Sequence, residues 1–418
     1  MAKNMTFIND SDIYQQALSE RKKLRNYFQL NEKYPQPEEI DEVVVILASS
    51  RSGSSLLHHL LSQHPDIISL QGEEVTFTKM FGLNSITSFD DSDLLAKDIL
   101  PDLKKISELA QEILSDAGYR DQTSERLALD RGLRLILQWP HLKFEQADLI
   151  AATSLPEWLD VIDYLKNKNY QIDLNCYDHL CNKKEYFMQY TQDGYHKSFI
   201  EEPPFIIPKS KTYKKENAKK ILLLKSSINS FRAEFLGHLF PKAKFHFIHL
   251  TRNPAASING LMDGWLSSWF HSHNLSHLTT LEIKNYENQH WWKFDLPPGW
   301  KEYTKSPLEI VCAFQWQSAN QSILNFLEDQ KSIHIKYENM TDLESMKISL
   351  NEICQKINLN NSFIQKLVPP PHIMSVNKPT AYRWKERIEL LLPLINTPAI
   401  AQLSKKLGYD VSNVQELK

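Results

Sequence analysis

Residues 43–70 read VVVILASSRSGSSLLHHLLSQHPDIISL. Val43 to Leu47 form an unbroken, largely β-branched run, the composition of a parallel strand buried on both faces. Ala48 to Gly53 is a turn of small residues. Leu56, Leu57, Leu60 and Leu61 then recur at helical spacing until His64-Pro65 stops the helix, and Ile67 to Leu70 resume a strand. Strand, loop, helix and strand within thirty residues make a βαβ unit. This unit sets the fold class: an α/β, P-loop-like parallel sheet flanked by helices.

The pattern weakens on either side of it and then returns. Upstream, residues 11–29 read as a helix capped by Ser11, with Arg21, Lys22, Lys23 and Arg25 as a solvated basic face. Downstream, residues 84–219 carry amphipathic helical stretches, for example Leu94 to Leu114 and Leu155 to Leu165, with few strand signals. They read as a large, mainly helical insertion, an acceptor-side cap within one α/β domain spanning 1–418. Strand signals reappear at Lys220 to Lys225, Phe245 to Leu250 and Ile333 to Tyr337. Helices are expected over Ser230–Phe240 and Leu308–Leu327.

Composition narrows the function. The 418 residues carry 48 Lys+Arg against 51 Asp+Glu, a formal net charge of −3, so no global cationic excess draws the chain to nucleic acid. Any anion site is local. The four cysteines are too few and scattered for a disulfide framework, which favours reduced thiols and a cytoplasmic setting. No apolar run approaches the ~20 residues that span a bilayer, and the first residues lack the apolar core of a secretory signal.

The turn after the first strand is where chemistry is expected. Small residues let successive N–H groups and a helix N-terminus face an anion. Ser52, Ser54 and Ser55 add hydroxyls, Gly53 gives backbone freedom and Arg51 brings a fixed positive charge. Against the nucleotide-binding pattern GxxxxGK[ST], Gly53 and Ser55 match, whereas Ala48 replaces the first glycine and Ser54 stands where lysine is needed for ATP chemistry.

With that loop the chain resembles the PAPS-dependent sulfotransferase superfamily (PAPS is 3′-phosphoadenosine-5′-phosphosulfate). The likeness covers the sheet parts of the chain, near 43–83, 220–265 and 306–410, and omits the insertion. SSRSGSSLLHHLLSQHPDI is similar to the family's loop around the 5′-phosphosulfate, in the arginine form common in the tyrosyl-protein and carbohydrate branches. The resemblance implies that Arg51, Ser52, Gly53, Ser54 and Ser55 bind the donor. FHFIHLTRNP resembles the segment that holds the 3′-phosphate, with Arg252 as the phosphate fork. The family's serine eight residues after that arginine is Gly260 here, and Ser257 is the substitute donor. Gly72-Glu73-Glu74 is similar to the tyrosyl-protein branch, which implies Glu74 as general base with Glu73 as the fallback. Lys225 matches the lysine that contacts the transferring sulfuryl group. Tyr337, in IHIKYENM, matches a tyrosine near the adenine nucleotide. Ser375 and Lys378 lie in a segment resembling the late loop that folds over the donor.

The resemblance thus implies in-line transfer of a sulfuryl group from PAPS to a hydroxyl, leaving PAP, the adenosine bisphosphate, and requiring no metal. The acceptor is expected to be a small molecule, natural product or carbohydrate, with neither nucleic acid nor membrane as partner. Two other readings stay open: an ATP-using P-loop phosphotransferase, and a non-catalytic relative that kept the fold. His271, His273, His277 and His290 lack the ligand types and carboxylate support of a metal cluster. Trp265, Trp269, Trp291 and Trp292 offer an aromatic acceptor wall or ordinary packing.

Overall fold

The computed structural model describes residues 10–29, 35–70, 73–83, 92–95, 102–117, 129, 132–133, 135–136, 142–155, 158–171, 219–267, 272–275, 278–368 and 382–413. Five parallel strands form the sheet: β1 (Glu42–Leu47), β2 (Ile67–Ser69), β3 (Ile221–Lys225), β4 (Lys244–Thr251) and β7 (Ser332–Lys336), in the order β2-β3-β1-β4-β7. β5 (Ser272–Asn274) and β6 (Trp291–Lys293) pair antiparallel as a separate ribbon. All six positions of β1 and all five of β3 are buried, as the continuous apolar runs require. Even Glu42 is enclosed, bonded to Lys219 at 2.6 Å.

Alternate strand residues face opposite layers. Val43, Val45, Leu47, Leu222 and Leu224 share one apolar core with α1 (Asp10–Tyr27), α3 (Val75–Met80), α4 (Leu103–Ala117), α5 (Gln146–Thr153), α6 (Trp158–Asn167) and α7 (Ala233–Leu239). Val44, Ile46, Leu223 and Ile248 share the other with α2 (Ser54–Leu61) and α10 (Leu343–Lys356). A third core gathers α8 (Pro254–Leu266), α9 (Leu308–Leu327), α11 (Ile388–Ile395) and α12 (Pro398–Lys406) around five buried tryptophans, Trp265, Trp292, Trp300, Trp316 and Trp384.

The described helices of residues 84–219, α4 to α6, pack directly onto the sheet's first face, in one core with β1 and β3. The expected basic face of α1 is only half solvated. Arg21 is buried, donates to Glu112 at 2.6 Å and lies over the Phe77 ring at 5.2 Å; Arg25 reaches the same carboxylate at 3.5 Å. Lys22 and Lys23 keep the solvent. The arginines are drawn inward because α4 supplies Glu112, a partner 91 residues from Arg21 in sequence.

The chain switches direction around β1, whose neighbours are β3 on one side and β4 on the other. In open α/β sheets ligands sit beyond the carboxyl ends of the strands at this kind of switch point. The segments that leave β1, β3 and β4 at those ends carry Arg51, Lys225 and Arg252.

Candidate active site

The loop between β1 and α2 is tight, and its backbone is unusual. Arg51 adopts φ +67° and Gly53 φ +90°. For glycine this costs little, whereas a left-handed arginine costs about 1–3 kcal/mol unless its surroundings enforce it. Here they do. Ser49 and Ser52 hydroxyls meet at 2.7 Å, and the Ser52 N–H donates to the Ser49 carbonyl at 3.3 Å. Arg51 Nε donates to the Gly260 carbonyl at 3.3 Å, and Arg252 Nη1 donates to the Arg51 carbonyl at 3.1 Å. Gly53 lies against Tyr337: a Cβ there would stand 2.2 Å from a ring carbon. The Arg252 guanidinium in turn lies 4.5 Å from the centre of that ring. Arg51, Gly53, Arg252 and Tyr337, scattered over nearly 290 positions, are thus brought into one contact set.

The lysine absent at position 54 is supplied from the next strand. Lys225 ends β3, is 5% exposed, and donates to Ser55 Oγ at 2.9 Å and to Glu73. The second Glu73 oxygen accepts from Ser226 Oγ at 3.1 Å. Glu73 therefore has both oxygens engaged. Glu74 differs. It is buried, one oxygen accepts from Asn229, and Oε2 has no hydrogen-bond partner among the described residues. Burial pushes its carboxyl up to about 7, against the opposing pull of Asn229 and Lys225. Such a group can hold or release a proton at neutral pH.

The departure at Gly260 has a steric cause. A Cβ there would lie 3.3 Å from Arg51 Cβ and 3.8 Å from Arg252 Nη1, so the hydrogen keeps room for the two arginines. Ser257, one turn earlier in α8, is fully buried, and its hydroxyl has no hydrogen-bond partner among the described residues. Asn253 begins that helix by accepting from the Ala255 N–H at 2.8 Å, with Pro254 at the first helical position.

Several residues of this neighbourhood escaped the sequence reading. Glu338, next to Tyr337, accepts from the Asn253 N–H at 2.8 Å and from Tyr409 Oη at 2.8 Å, which pins the residue after Arg252. His58 is buried under the loop, and burial beside Lys225 holds its imidazole down at about 3, hence neutral. Asp295 is 1% exposed, accepts from Ser50 Oγ at 2.7 Å, and burial pushes its carboxyl up to about 7. Glu338 and Asp295 are fixed by partners remote in sequence, so no local motif marks them.

Of the two uses open to the tryptophans, packing is the one found. Trp265 and Trp292 are fully buried and Trp291 nearly so; Trp265 and Trp292 meet edge to face at 5.1 Å. They are core rather than acceptor wall, because α8 and α9 close over them. His273 donates its Nε2 proton to the Phe294 carbonyl at 2.8 Å, and His290 is exposed. Among the described residues no group of three or more His, Cys, Asp or Glu is placed to hold a metal ion. Trp269, His271, His277, Gly72, Ser375 and Lys378 lie outside the described residues.

A model described as the sulfotransferase family matches residues 43–360. The chain belongs to the sulfotransferase family. Among solved structures it is similar to the sulfotransferase domain of the Synechococcus PCC 7002 olefin synthase, at 14% identity, TM-score 0.39, and 91% and 99% coverage of this chain and that one. It is also similar to the sulfotransferase domain of the curacin biosynthetic pathway, at 12% identity, TM-score 0.37, and 89% and 99% coverage. A third is sulfotransferase STF9 of Mycobacterium avium, at 14% identity, TM-score 0.36, and 94% and 84% coverage. No curated protein matches. As a sulfotransferase this chain has no helix, among the described residues, long and apolar enough to cross a membrane.

Proposed function

We propose that the chain transfers a sulfuryl group from PAPS to the hydroxyl of a small molecule, natural product or carbohydrate, with Glu74 as general base. One observation carries the reading: Arg252 donates to the Arg51 carbonyl, so the two anion-binding segments, 201 residues apart, meet in one site. The residues fit a nucleotide with two separated anionic groups. Arg51, Lys225 and the N–H groups of residues 53–55 would hold the 5′-phosphosulfate, with the Ser52 N–H spent on the Ser49 carbonyl inside the loop. Arg252 and the buried Ser257 hydroxyl would hold the 3′-phosphate, with Tyr337 beside the nucleotide. Bound PAPS supplies an activated sulfuryl group whose leaving group is PAP.

This chain's own residues then have separable roles. Glu74 Oε2 takes the acceptor's proton; Glu73 is the poorer choice because Lys225 and Ser226 occupy its oxygens. Lys225 and Arg51 are fixed cations that stabilise negative charge as it moves toward the leaving phosphate. Their preorganisation lowers the barrier without a solvent rearrangement.

Thermal shift tests the reading. PAP is expected to raise Tm and ATP to leave it unmoved. Equal shifts from both nucleotides would favour the phosphotransferase alternative, and binding without transfer to any hydroxyl in a mass-spectrometric screen would favour a non-catalytic relative. Arg51→Ala is expected to lower sulfate transfer by about 10²–10³-fold.

A further inference from the structure

The ribbon of β5 and β6 ends against the anion loop, and the contact is made by one carboxylate. Ser50 Oγ donates to Asp295 Oδ1 at 2.7 Å across 245 residues of sequence, with both side chains buried. Asp295 Oδ2 has no hydrogen-bond partner among the described residues.

The backbone behind Asp295 is unusually well held. Its carbonyl accepts from Trp292 Nε1 at 3.0 Å and from Gln315 Nε2 at 2.8 Å. Gln315 Nε2 also donates to the Lys293 carbonyl at 2.8 Å, and its Oε1 accepts from Trp265 Nε1 at 2.8 Å. Phe294, between them, sits at φ +65°, with its carbonyl held by His273. A left-handed phenylalanine persists only where its surroundings over-determine it, and such outliers gather at functional sites. The loop side of this contact shows the same sign: Arg51, next to Ser50, is left-handed too. Two strained residues thus flank a single buried hydrogen bond.

We infer that Asp295 is a positioning residue for the donor site: through Ser50 it fixes the conformation in which the anion loop presents Arg51 and its N–H groups. The assignment rests on the PAPS reading above. It gives the buried tryptophans a purpose beyond packing, since the indole N–H groups of Trp265 and Trp292 and the amide of Gln315 build the frame that aims this carboxylate at the loop. Asp93 and Glu73 are the other charges that Asp295 feels, and both are negative; Asp93 is paired with Arg232, and Glu73 with Lys225. Asp295 itself makes no ion pair among the described residues. It acts through the neutral hydroxyl.

The test is a double-mutant cycle read on PAP affinity by calorimetry, with Tm of the ligand-free chain measured alongside. Ser50→Ala and Asp295→Ala are each expected to weaken PAP by about five- to tenfold, the worth of one buried hydrogen bond to a carboxylate. The double variant should lose no more than the worse single. Asp295→Asn keeps an oxygen for the Ser50 hydroxyl and is expected to bind PAP within about threefold of wild type. Should Asp295→Ala fail to fold, Ser50→Ala and Asp295→Asn decide alone. Lower Tm with unchanged PAP affinity in Ser50→Ala would mean a merely structural contact and would overturn the assignment, as would additive losses, or an asparagine no better than alanine. Wild type that binds no PAP would overturn the functional reading and this assignment together. Wild type that binds it normally beside indifferent variants overturns the assignment alone.

Discussion

The anion loop at 48–55 and the tryptophan-rich segment at 291–300 meet at one hydrogen bond, yet they are built by opposite means. The loop has almost no apolar content; it is held by hydroxyls, carbonyls and two arginines, and its conformation depends on Gly53 and a left-handed Arg51. The second segment is held by burial: Trp292 meets Trp265 at 5.1 Å and Trp300 at 5.5 Å, and its polar backbone is satisfied inside that core. A site proposed to bind a polyanion cannot itself be dry and apolar, and this loop's rigid neighbour is. Variants on the two sides should therefore separate chemistry from stability.

The largest separation is expected on the loop side. Glu74→Gln should lower turnover by about 10²–10⁴-fold while PAP affinity stays nearly unchanged. Because burial raises the Glu74 carboxyl to about 7, wild-type turnover should rise with pH through that value as the base form appears. Stability runs the other way. The folded carboxyl titrates above its unfolded value, so its contribution is complete below about pH 4.5 and is lost as pH rises through 7. Glu74→Gln should thus be the more stable chain above pH 7 and flatten the decline of Tm. Unchanged turnover in Glu74→Gln with loss in Glu73→Gln would reassign the base within the pair.

Trp292→Ala probes the other side. Removing a fully buried indole should cost about 3–5 kcal/mol of stability. It also deletes the donor to the Asp295 carbonyl, so PAP affinity should fall below the saturated value even at temperatures where the chain remains folded. A variant that loses Tm but binds PAP as wild type would show that the two regions touch without coupling.

The contrast also explains what the sequence could reveal. The strand and helix order was legible because its signals are local: Val43 to Leu47 is a buried strand by composition, and Ser55 to Gln63 a helix by spacing, found over Ser54–Leu61. Even the 308–327 helix falls on its expected bounds. Arg51, Lys225, Arg252 and Tyr337 could be nominated because each lies in a short motif that resembles the family's, and the structure brings Arg51, Arg252 and Tyr337 together. Asp295 and Glu338 were not: nothing in FDLPPGW or YENM says that the carboxylate will face Ser50 or the Asn253 N–H. Arg21 looked solvated because its partner, Glu112, lies on a helix far along the chain. The tryptophans were ambiguous for the same reason, since an aromatic cluster has one composition whether it lines a pocket or fills a core. Long-range polar pairing leaves no period to read.

Gly260 is the finest probe of the comparison, because it lies against both Arg51 and Arg252. Its Cβ position is 3.3 Å from Arg51 Cβ, and Arg51 cannot retreat freely: its carbonyl is held by Arg252 and its Nε by the Gly260 carbonyl itself. Gly260→Ser should therefore weaken PAP, by up to about tenfold, the low end of the 1–3 kcal/mol range for overpacking. The added hydroxyl does not offset this, since the serine would have to displace the side chain that defines the site. The decisive version is the pair Ser257→Ala with Gly260→Ser. If Ser257 is the donor to the 3′-phosphate, Ser257→Ala weakens PAP and the second change does not restore it. Recovery of PAP affinity in the pair would mean that the loop tolerates a shift of Arg51, and that its rigidity is less than its two left-handed residues imply.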